Sequence, residues 1–362
     1  MNKEFGNKNW LSVFEGETPA VIAGPCSAET PDQLMAIAKA LPKQVKVFRA
    51  GIWKPRTRPG GFEGVGAIGL EWMKEVKRET QLKLATEVAT AEHVDLALKA
   101  DIDVLWIGAR TAVNPFAVQE IADALKGTNR IVLIKNPVNP DLGLWIGGLE
   151  RLIQAGINNL GVIHRGFSTY EKTKYRNIPE WQIPIDLKTQ FPNVPIFCDP
   201  SHITGDSSRI MEVSQQALDL NYDGLMIETH TTPDKAWSDA AQQVTPEHLN
   251  TILTNLAIRN STDDTEYYLS KINGYRTHLD DIDQKLLELM SKRMEIVDEI
   301  GYLKREKNVM VLQQERWKNM FDKMMVEGSF KGLTPEFITA LYTAIHQESI
   351  YRQNQIINKK VE

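Results

Sequence analysis

The first two thirds of the chain alternate short apolar runs with longer stretches of helical periodicity. Eight runs rich in Val, Ile and Leu are each followed by a helix-patterned segment. Strands buried on both faces of a parallel sheet read as short, continuous apolar runs of this kind. Eight strand–helix repeats in roughly 240 residues predict a closed (β/α)8 barrel, an α/β TIM barrel. The predicted strands are 21–26, 45–49, 82–88, 104–107, 131–135, 160–164, 195–199 and 225–228.

Helix starts in this region are marked by capping residues. Thr30-Pro31 and Asn114-Pro115 each place a capping side chain before a proline at the first helical position. The alternative α/β arrangement is a doubly wound sheet, which usually has fewer strands and a GxGxxG turn after the first one. No such turn follows the first apolar run, so the barrel is favoured.

The C-terminal part of the chain has a different pattern, with no strand-like run. The segment 259–265 is polar and has no apolar periodicity, so it marks a boundary. We therefore predict a barrel domain at 1–259, a linker at 260–265 and a helical domain at 266–362. The predicted helices of that domain are about 266–307, 313–327 and 335–357, with Asn308, Gly328, Gly332 and Pro335 marking the turns.

The first of these helices carries a heptad seam. A cation, Arg293, occupies one seam position, and Arg276 lies on the same stripe. A cation in an apolar seam costs stability unless it meets an anion, so Arg293 either sets the register of a coiled coil or lines a binding pocket. A helix of about 60 Å is too long for the two following helices to cover, which predicts a homodimer through this domain. The apolar seam positions are Leu279, Ile282, Leu286, Leu289, Ile296, Ile300 and Leu303.

Composition narrows the class of protein. The net charge is −5, so no global field attracts nucleic acid or a membrane surface. The N-terminus has no apolar signal segment, and no run of apolar residues is long enough to span a bilayer. Two cysteines cannot form a disulfide framework. These features predict a cytoplasmic protein that binds small molecules, without nucleic acid or membrane as a partner.

Ionisable residues stand at the end of nearly every predicted strand. The carboxyl ends of barrel strands form one rim, where ligands bind. Arginine pairs with phosphate and carboxylate in two-point fashion. A rim with six cations therefore predicts substrates that carry phosphate groups and a carboxylate. The cations are Arg49, Lys54, Arg56, Arg110, Lys135 and Arg165.

A second set of residues has the chemistry of a metal site. Cys26 and His202 follow two strands, Glu228 ends another, and Asp239 lies shortly beyond it. A thiolate, an imidazole and two carboxylates suit a divalent ion of borderline softness, namely Mn, Fe, Co or Zn. The alternative is that Cys26 is a buried packing residue and His202 is only hydrogen-bonded. Spacing alone leaves both open.

The strand-end sequences GPCSAE, RAGIWKPRT, IGART, IKNP, HRG, DPSHITG and IETHTTPDKAWSD follow one another in this order. Over about residues 19–258 the chain resembles the metal-dependent 3-deoxy-D-arabino-heptulosonate 7-phosphate synthases, in particular the shorter subgroup of type I enzymes. The KPRT segment distinguishes them from sister enzymes that use arabinose 5-phosphate. The resemblance implies condensation of phosphoenolpyruvate with erythrose 4-phosphate, the first step of the shikimate pathway.

The same resemblance implies a role for each rim residue. Cys26, His202, Glu228 and Asp239 would bind the divalent metal. Arg49, Lys54, Arg110 and Lys135 would bind phosphoenolpyruvate, and Lys54 would also assist a proton transfer. The residues implied for erythrose 4-phosphate are Arg56, Thr57 and Arg165.

The helical domain resembles the all-helical chorismate mutases over about residues 268–357. That resemblance implies that arginines, one from a second chain, bind the two carboxylates of chorismate, while Lys304 and Gln353 stabilise its ether oxygen. The sequence departs from the family where an acidic pair is replaced by Gln313 and Trp317, so Gln313 is expected to bind the substrate hydroxyl instead. The implied catalytic residues are Arg276, Arg293, Lys304 and Gln353, and the implied binding residues are Gln313, Arg316 and Ser349.

Two interpretations of the helical domain follow. In the first, the protein is bifunctional, and prephenate or chorismate bound to the helical domain regulates the barrel. In the second, the domain only dimerises the chain and senses a ligand. A third possibility, that the barrel uses arabinose 5-phosphate, is disfavoured by KPRT.

Overall fold

A computed structural model describes residues 6–55, 60–170, 173–260 and 262–358. The chain divides into two compact units, Met1–Ser261 and Thr262–Glu362. We call them the barrel unit and the helical unit. Within the described residues, no helix is both long and apolar enough to cross a membrane.

The barrel unit contains a closed sheet of parallel strands, each paired with its neighbour in the sequence, and the first strand also pairs with the last. The predicted (β/α)8 barrel is thus confirmed. Five strands differ from prediction at one or both ends; the first ends at Gly24, so Cys26 lies in the loop beyond it. The strands are β1 Ala20–Gly24, β2 Val47–Arg49, β3 Lys83–Val88, β4 Val104–Ile107, β5 Ile131–Lys135, β6 Leu160–His164, β7 Ile196–Cys198 and β8 Gly224–Glu228.

Helices follow the strands of the barrel unit. Two of them are short helices that the apolar pattern did not predict, one after β4 and one after β7, and both lie at the carboxyl rim. The helices are α1 Pro31–Ala40, α2 Ile68–Thr80, α3 Ala91–Lys99, α4 Ala109–Ala112, α5 Pro115–Leu125, α6 Leu142–Gln154, α7 Gln182–Gln190, α8 Pro200–Thr204, α9 Ile210–Asp219 and α10 Pro246–Asn255.

Two apolar layers stabilise the barrel. One lies between the strands and the surrounding helices, and the other fills the barrel interior. A 3-10 helix, Asn9–Phe14, precedes β1 and contributes Trp10 and Phe14 to the interior layer. Trp10 stacks on Phe197 at 6.0 Å between centroids and donates its indole N–H to the Leu160 carbonyl. The barrel interior is therefore packed with side chains.

The helical unit consists of α11 Glu266–Glu306, α12 Gln314–Phe330 and α13 Pro335–Ile357. The helical prediction is confirmed, but Gly328 does not end a helix. It lies inside α12, where a Cβ would come within 2.5 Å of the Ile338 side chain, so this glycine allows α13 to pack closely. Arg352 of α13 forms a two-point ion pair with Asp298 of α11.

Candidate functional site: a cation-lined barrel mouth

A cavity opens at the carboxyl ends of the strands. Five of the six cations predicted for the rim line it, together with one cation that was not predicted, Arg176. The sixth, Arg56, lies outside the described residues, as does Thr57. The lining residues are Arg49, Lys54, Pro55, Glu87, Arg110, Lys135, Arg165, Arg176, His202 and Asp239.

Arg49 is the most deeply buried cation of this cavity. Its guanidinium lies 4.9 Å from the centroid of the Trp106 ring and donates from Nη2 to Oε1 of Glu228 at 3.1 Å. The Nε and Nη1 groups have no hydrogen-bond partner among the described residues. Buried donors are normally paired, so these N–H groups are available to an anionic ligand.

The ends of β1 and β2 are in close contact. Gly24 has a φ of +146°, and a Cβ there would lie 2.1 Å from the Arg49 carbonyl oxygen. Only glycine fits this approach. The loop after β1 therefore runs against β2, which brings Cys26 beside Lys54.

Lys54 and Cys26 make a close polar contact at the mouth. The Nζ of Lys54 lies 2.6 Å from Sγ of Cys26 and 2.7 Å from the Cys26 carbonyl oxygen. Burial, reinforced by Glu228, raises the pKa of the Cys26 thiol to about 12. Without a metal ion, Cys26 is therefore a neutral thiol at neutral pH.

Asp199 connects two predicted site residues. Its Oδ2 lies 2.6 Å from Nζ of Lys135 and 2.8 Å from Nδ1 of His202. Burial alone would raise the pKa of this carboxyl, but the contacts with His202 and Lys135 hold it well below its usual value. Burial lowers the pKa of His202. Asp199 therefore orients an imidazole and an ammonium group at once.

The four predicted metal ligands lie in two adjoining pairs. Sγ of Cys26 is 3.3 Å from Oδ2 of Asp239, and Nε2 of His202 is 3.8 Å from Oε1 of Glu228. Among the described residues, no group of three or more His, Cys, Asp or Glu side chains is arranged to hold a metal ion. The donor chemistry fits a divalent ion of borderline softness, while Lys54 contacts Sγ of Cys26 and Arg49 pairs with Oε1 of Glu228.

Three residues around these pairs were missed by sequence reasoning. Arg176 donates from Nη1 to Oδ1 of Asp239 at 2.9 Å and to Oε1 of Gln242 at 2.6 Å. Gln242 donates to Oε2 of Glu228 at 2.7 Å. The neighbouring Gln243 accepts the backbone N–H of Cys26 at 3.0 Å. The only sequence feature that pointed to these contacts is the pair of adjacent glutamines shortly after Asp239.

Arg165 is buried at the end of β6. It donates from Nη1 to Oδ1 of Asn177 at 2.6 Å. Burial lowers its pKa to about 10, which still leaves it charged at neutral pH. Its neighbour His164 does not face the cavity: its Nε2 donates to the Pro179 carbonyl at 2.6 Å, and its Nδ1 accepts from the Tyr222 hydroxyl at 2.9 Å.

In the helical unit, three of the predicted residues lie together. Arg293 on α11 donates from Nη1 to the hydroxyl of Ser349 on α13 at 2.8 Å. One turn further along α13, Gln353 is buried and donates to the Ser349 carbonyl at 3.2 Å, but its Oε1 has no partner among the described residues. Burial lowers the pKa of Arg293. This group has unused polar atoms, as expected of a binding site.

The other predicted residues of the helical unit form no hydrogen bond with this group among the described residues. Lys304 lies one turn along α11 from Gly301, which packs against Gln353. Lys304 donates to the Val311 carbonyl in the connection between α11 and α12. Gln313 is the exposed residue before α12, and Arg316 is exposed in its first turn. Arg276 is separated from Arg293 by about 25 Å along α11, at 1.5 Å per residue. One copy of α11 therefore cannot bring both arginines to one substrate.

Fold and rim together define a class: an α/β barrel with a cation-lined mouth at the carboxyl ends of its strands, joined to a helical unit. The chain belongs to the DAHP synthetase I family, whose model matches residues 5–262. Residues 275–354 match the Chorismate mutase type II model. The chain is thus a fusion of these two domains.

Individual relatives agree with the family. A phospho-2-dehydro-3-deoxyheptonate aldolase of Thermotoga maritima is 33% identical over 62% of this chain, and the match spans 64% of that protein. A 2-dehydro-3-deoxyphosphooctonate aldolase of Desulfatibacillum aliphaticivorans is 26% identical over 72% of this chain and 98% of its own length. The crystal structure of the Thermotoga enzyme, titled DAHP synthase, is 29% identical with a TM-score of 0.59, covering 65% of this chain and 67% of its own.

Proposed function

We propose that the barrel unit condenses phosphoenolpyruvate with erythrose 4-phosphate to 3-deoxy-D-arabino-heptulosonate 7-phosphate and phosphate, in the cytoplasm. The observation that carries the proposal is the buried Arg49, with two N–H groups unpaired among the described residues in a cation-lined mouth. Phosphoenolpyruvate combines a phosphate and a carboxylate, and both pair well with arginine. We assign Arg49, Lys54, Arg110 and Lys135 to this substrate.

The reaction joins the enol carbon of phosphoenolpyruvate to the aldehyde carbon, water adds at the neighbouring carbon, and phosphate leaves. Two anions that repel each other in water must be positioned together, and fixed cations stabilise the charge that develops. Lys54 lies at the mouth and is the candidate to supply the proton that the aldehyde oxygen takes up. Arg165, with Arg56 and Thr57, is assigned to erythrose 4-phosphate.

A divalent metal ion is part of the proposal. Cys26, His202, Glu228 and Asp239 would hold it, since they combine donors of borderline softness at one end of the mouth. When bound, the ion would polarise and orient the aldehyde as a Lewis acid. An assay of the full chain with and without a strong chelator tests this: activity should disappear with chelator and return with added Mn, Fe, Co or Zn.

A second candidate substrate is arabinose 5-phosphate. The matches to 2-dehydro-3-deoxyphosphooctonate aldolases at 26% identity favour it, while the higher identity to the Thermotoga heptonate aldolase and the KPRT segment favour erythrose 4-phosphate. Competition between the two aldehydes decides: the proposal requires heptulosonate phosphate as the predominant product, and a predominance of octulosonate phosphate contradicts it.

For the helical unit we propose conversion of chorismate into prephenate. The supporting group is Arg293, Ser349 and Gln353, in which the buried Oε1 of Gln353 has no partner among the described residues. A pericyclic rearrangement needs no nucleophile, only electrostatic stabilisation of a compact dianion. Arg293, Arg316 and Arg276 are assigned to the carboxylates, Lys304 and Gln353 to the ether oxygen, and Ser349 and Gln313 to substrate binding. Absence of prephenate after incubation with chorismate would leave only the ligand-sensing alternative.

We further propose a homodimer through the helical unit. All seven apolar seam residues of α11 are 39–61% exposed within the single chain. An apolar stripe of this length is costly in water, and a second α11 has the matching pattern. The dimer would also supply Arg276 to the site of the other copy. Analytical ultracentrifugation at micromolar concentration should give twice the mass of 41.0 kDa.

Feedback regulation completes the proposal: prephenate, or chorismate, bound to the helical unit lowers barrel activity. Coupling of this kind requires that ligand binding in one unit alters the states of the other. Prephenate should slow heptulosonate phosphate formation by the intact chain, and Arg293→Ala should abolish that inhibition without changing the uninhibited rate. An unaffected barrel rate in the intact chain would contradict it.

A further inference from the structure

A stacked aromatic pair lies inside the helical unit, between α12 and α13. The rings of Trp317 and His346 are 3.8 Å apart between centroids, with an interplanar angle of 11°. Phe321, one turn along α12, packs against the same indole at 5.3 Å. The stack fixes the plane of the imidazole. Neither ring nitrogen of His346 is hydrogen-bonded to a described residue.

The pair adjoins the polar group of the helical unit. His346 precedes Ser349 by three residues and Gln353 by seven on α13, so the three side chains share one face of the helix. Ser349 accepts from Arg293, and Oε1 of Gln353 is buried without a partner among the described residues. Two side chains on this stripe, His346 and Gln353, therefore carry polar atoms that no described residue uses.

The charge state of His346 determines which ligand group it suits. Burial, with a further contribution from Arg293, lowers its pKa, so the ring is neutral at neutral pH. A neutral imidazole has one donor and one acceptor nitrogen, which suits a hydroxyl better than a carboxylate. Chorismate has two carboxylates, an ether oxygen and one hydroxyl, and the cations and Gln353 account for all but the hydroxyl.

We propose that His346, held in place by Trp317, binds the hydroxyl of the substrate in the helical unit and makes that site selective for a hydroxylated dianion. This inference rests on the proposed mutase function. In this proposal Trp317 positions the imidazole of His346. Trp317 is one of the two residues that replace the acidic pair of the family. Gln313, expected from the sequence to bind the hydroxyl, is exposed ahead of α12.

The test uses the full chain with two substrates, chorismate and an analogue that lacks the hydroxyl. His346→Phe retains a ring against Trp317 but has no hydrogen-bonding atom. We expect it to raise KM for chorismate by about tenfold, the effect of one lost hydrogen bond, with a smaller change in kcat and no change for the analogue. His346→Gln should recover part of the loss, and the exposed His248→Leu on α10 should behave as wild type.

The outcomes separate this inference from the function on which it rests. Wild-type protein that forms no prephenate overturns both. Wild-type activity combined with equal losses on both substrates in His346→Phe overturns the hydroxyl contact, since the effect is then structural. If His346→Phe still distinguishes chorismate from the analogue and Gln313→Leu does not, Gln313 binds the hydroxyl. That result also overturns the proposal.

Discussion

The Nζ of Lys135 lies 2.6 Å from Oδ2 of Asp199, where strands β5 and β7 end at the barrel mouth. The same oxygen lies 2.8 Å from Nδ1 of His202. One buried carboxylate thus holds a residue assigned to phosphoenolpyruvate and a residue assigned to the metal ion. Loss of its charge should affect both ligands.

We expect Asp199→Asn to weaken metal binding by about 10- to 100-fold, because groups that orient a metal-binding histidine have effects of this size. KM for phosphoenolpyruvate should rise as well, since Lys135 loses its anchor. Titration calorimetry with Zn²⁺ or Mn²⁺ measures the first effect independently of turnover. Asp123→Asn, on the exposed surface of α5, is the matched control. Unchanged metal affinity in Asp199→Asn would contradict the orienting role.

The two halves of the KPRT segment are predicted to bind different substrates. Arg56→Ala should raise KM for erythrose 4-phosphate about ten- to a hundredfold, the range expected for a hydrogen bond to a charged group, while KM for phosphoenolpyruvate stays within about twofold. Initial-rate kinetics with each substrate varied in turn provide the measurement. Arg58→Ala, two residues further along the sequence and without an assigned role, should change neither constant. Equal losses for both substrates would refute the division.

In the proposed dimer, each mutase site combines Arg293 of one chain with Arg276 of the other. Two inactive variants should therefore complement each other in a mixed dimer. Arg276→Ala and Arg293→Ala should each abolish mutase activity alone. After the two variants are mixed, unfolded and refolded together, half of the dimers are hybrids, and each hybrid contains one intact site. Prephenate formation should then recover to about a quarter of the wild-type rate. No recovery, despite hybrid dimers detected by differently tagged chains, would place both arginines in one chain's site.

His164 predicts a specific pH dependence of stability. Burial lowers its pKa to about 3, whereas an unfolded chain protonates histidine near pH 6.5. The unfolded state therefore binds an extra proton between these values, and stability falls as the pH falls through this window. Between pH 7 and pH 5, wild-type protein should lose about 2 kcal/mol more than His164→Gln. Urea unfolding of both proteins at pH 7 and pH 5 measures this difference in the free energy of unfolding. Equal losses in the two proteins would show that His164 is already protonated in the folded state.

Much of the barrel site was predictable because periodicity and strand ends are local features. A run such as Ile131–Lys135 predicts both a buried strand and the position of its terminal lysine. Arg176 was not predictable in this way, since it lies in a long connection after β6 and reaches Asp239, 63 residues further along the chain. Gln242 was not predictable either, because its contact with Glu228 has no local signal in the sequence.

In the helical unit, the heptad seam and the departure at Trp317 were visible in the sequence. The partner of Trp317 was not, because His346 is 29 residues away on another helix and only the packing of α12 on α13 brings the rings together. The prediction that Gly328 marks a turn was wrong for the same reason. This glycine makes room for the Ile338 side chain, and such a contact cannot be recognised from neighbouring residues in the sequence.

The sequence by itself determined the order of strands and helices, the division into two units and the residue types at the barrel rim, because hydrophobic periodicity and capping act over a few residues. Only the tertiary structure decided which of those residues touch. The contact of Asp199 with Lys135, the Arg49 N–H groups without a partner among the described residues, and the stack of His346 on Trp317 all depend on burial and on packing between segments that are distant in the chain.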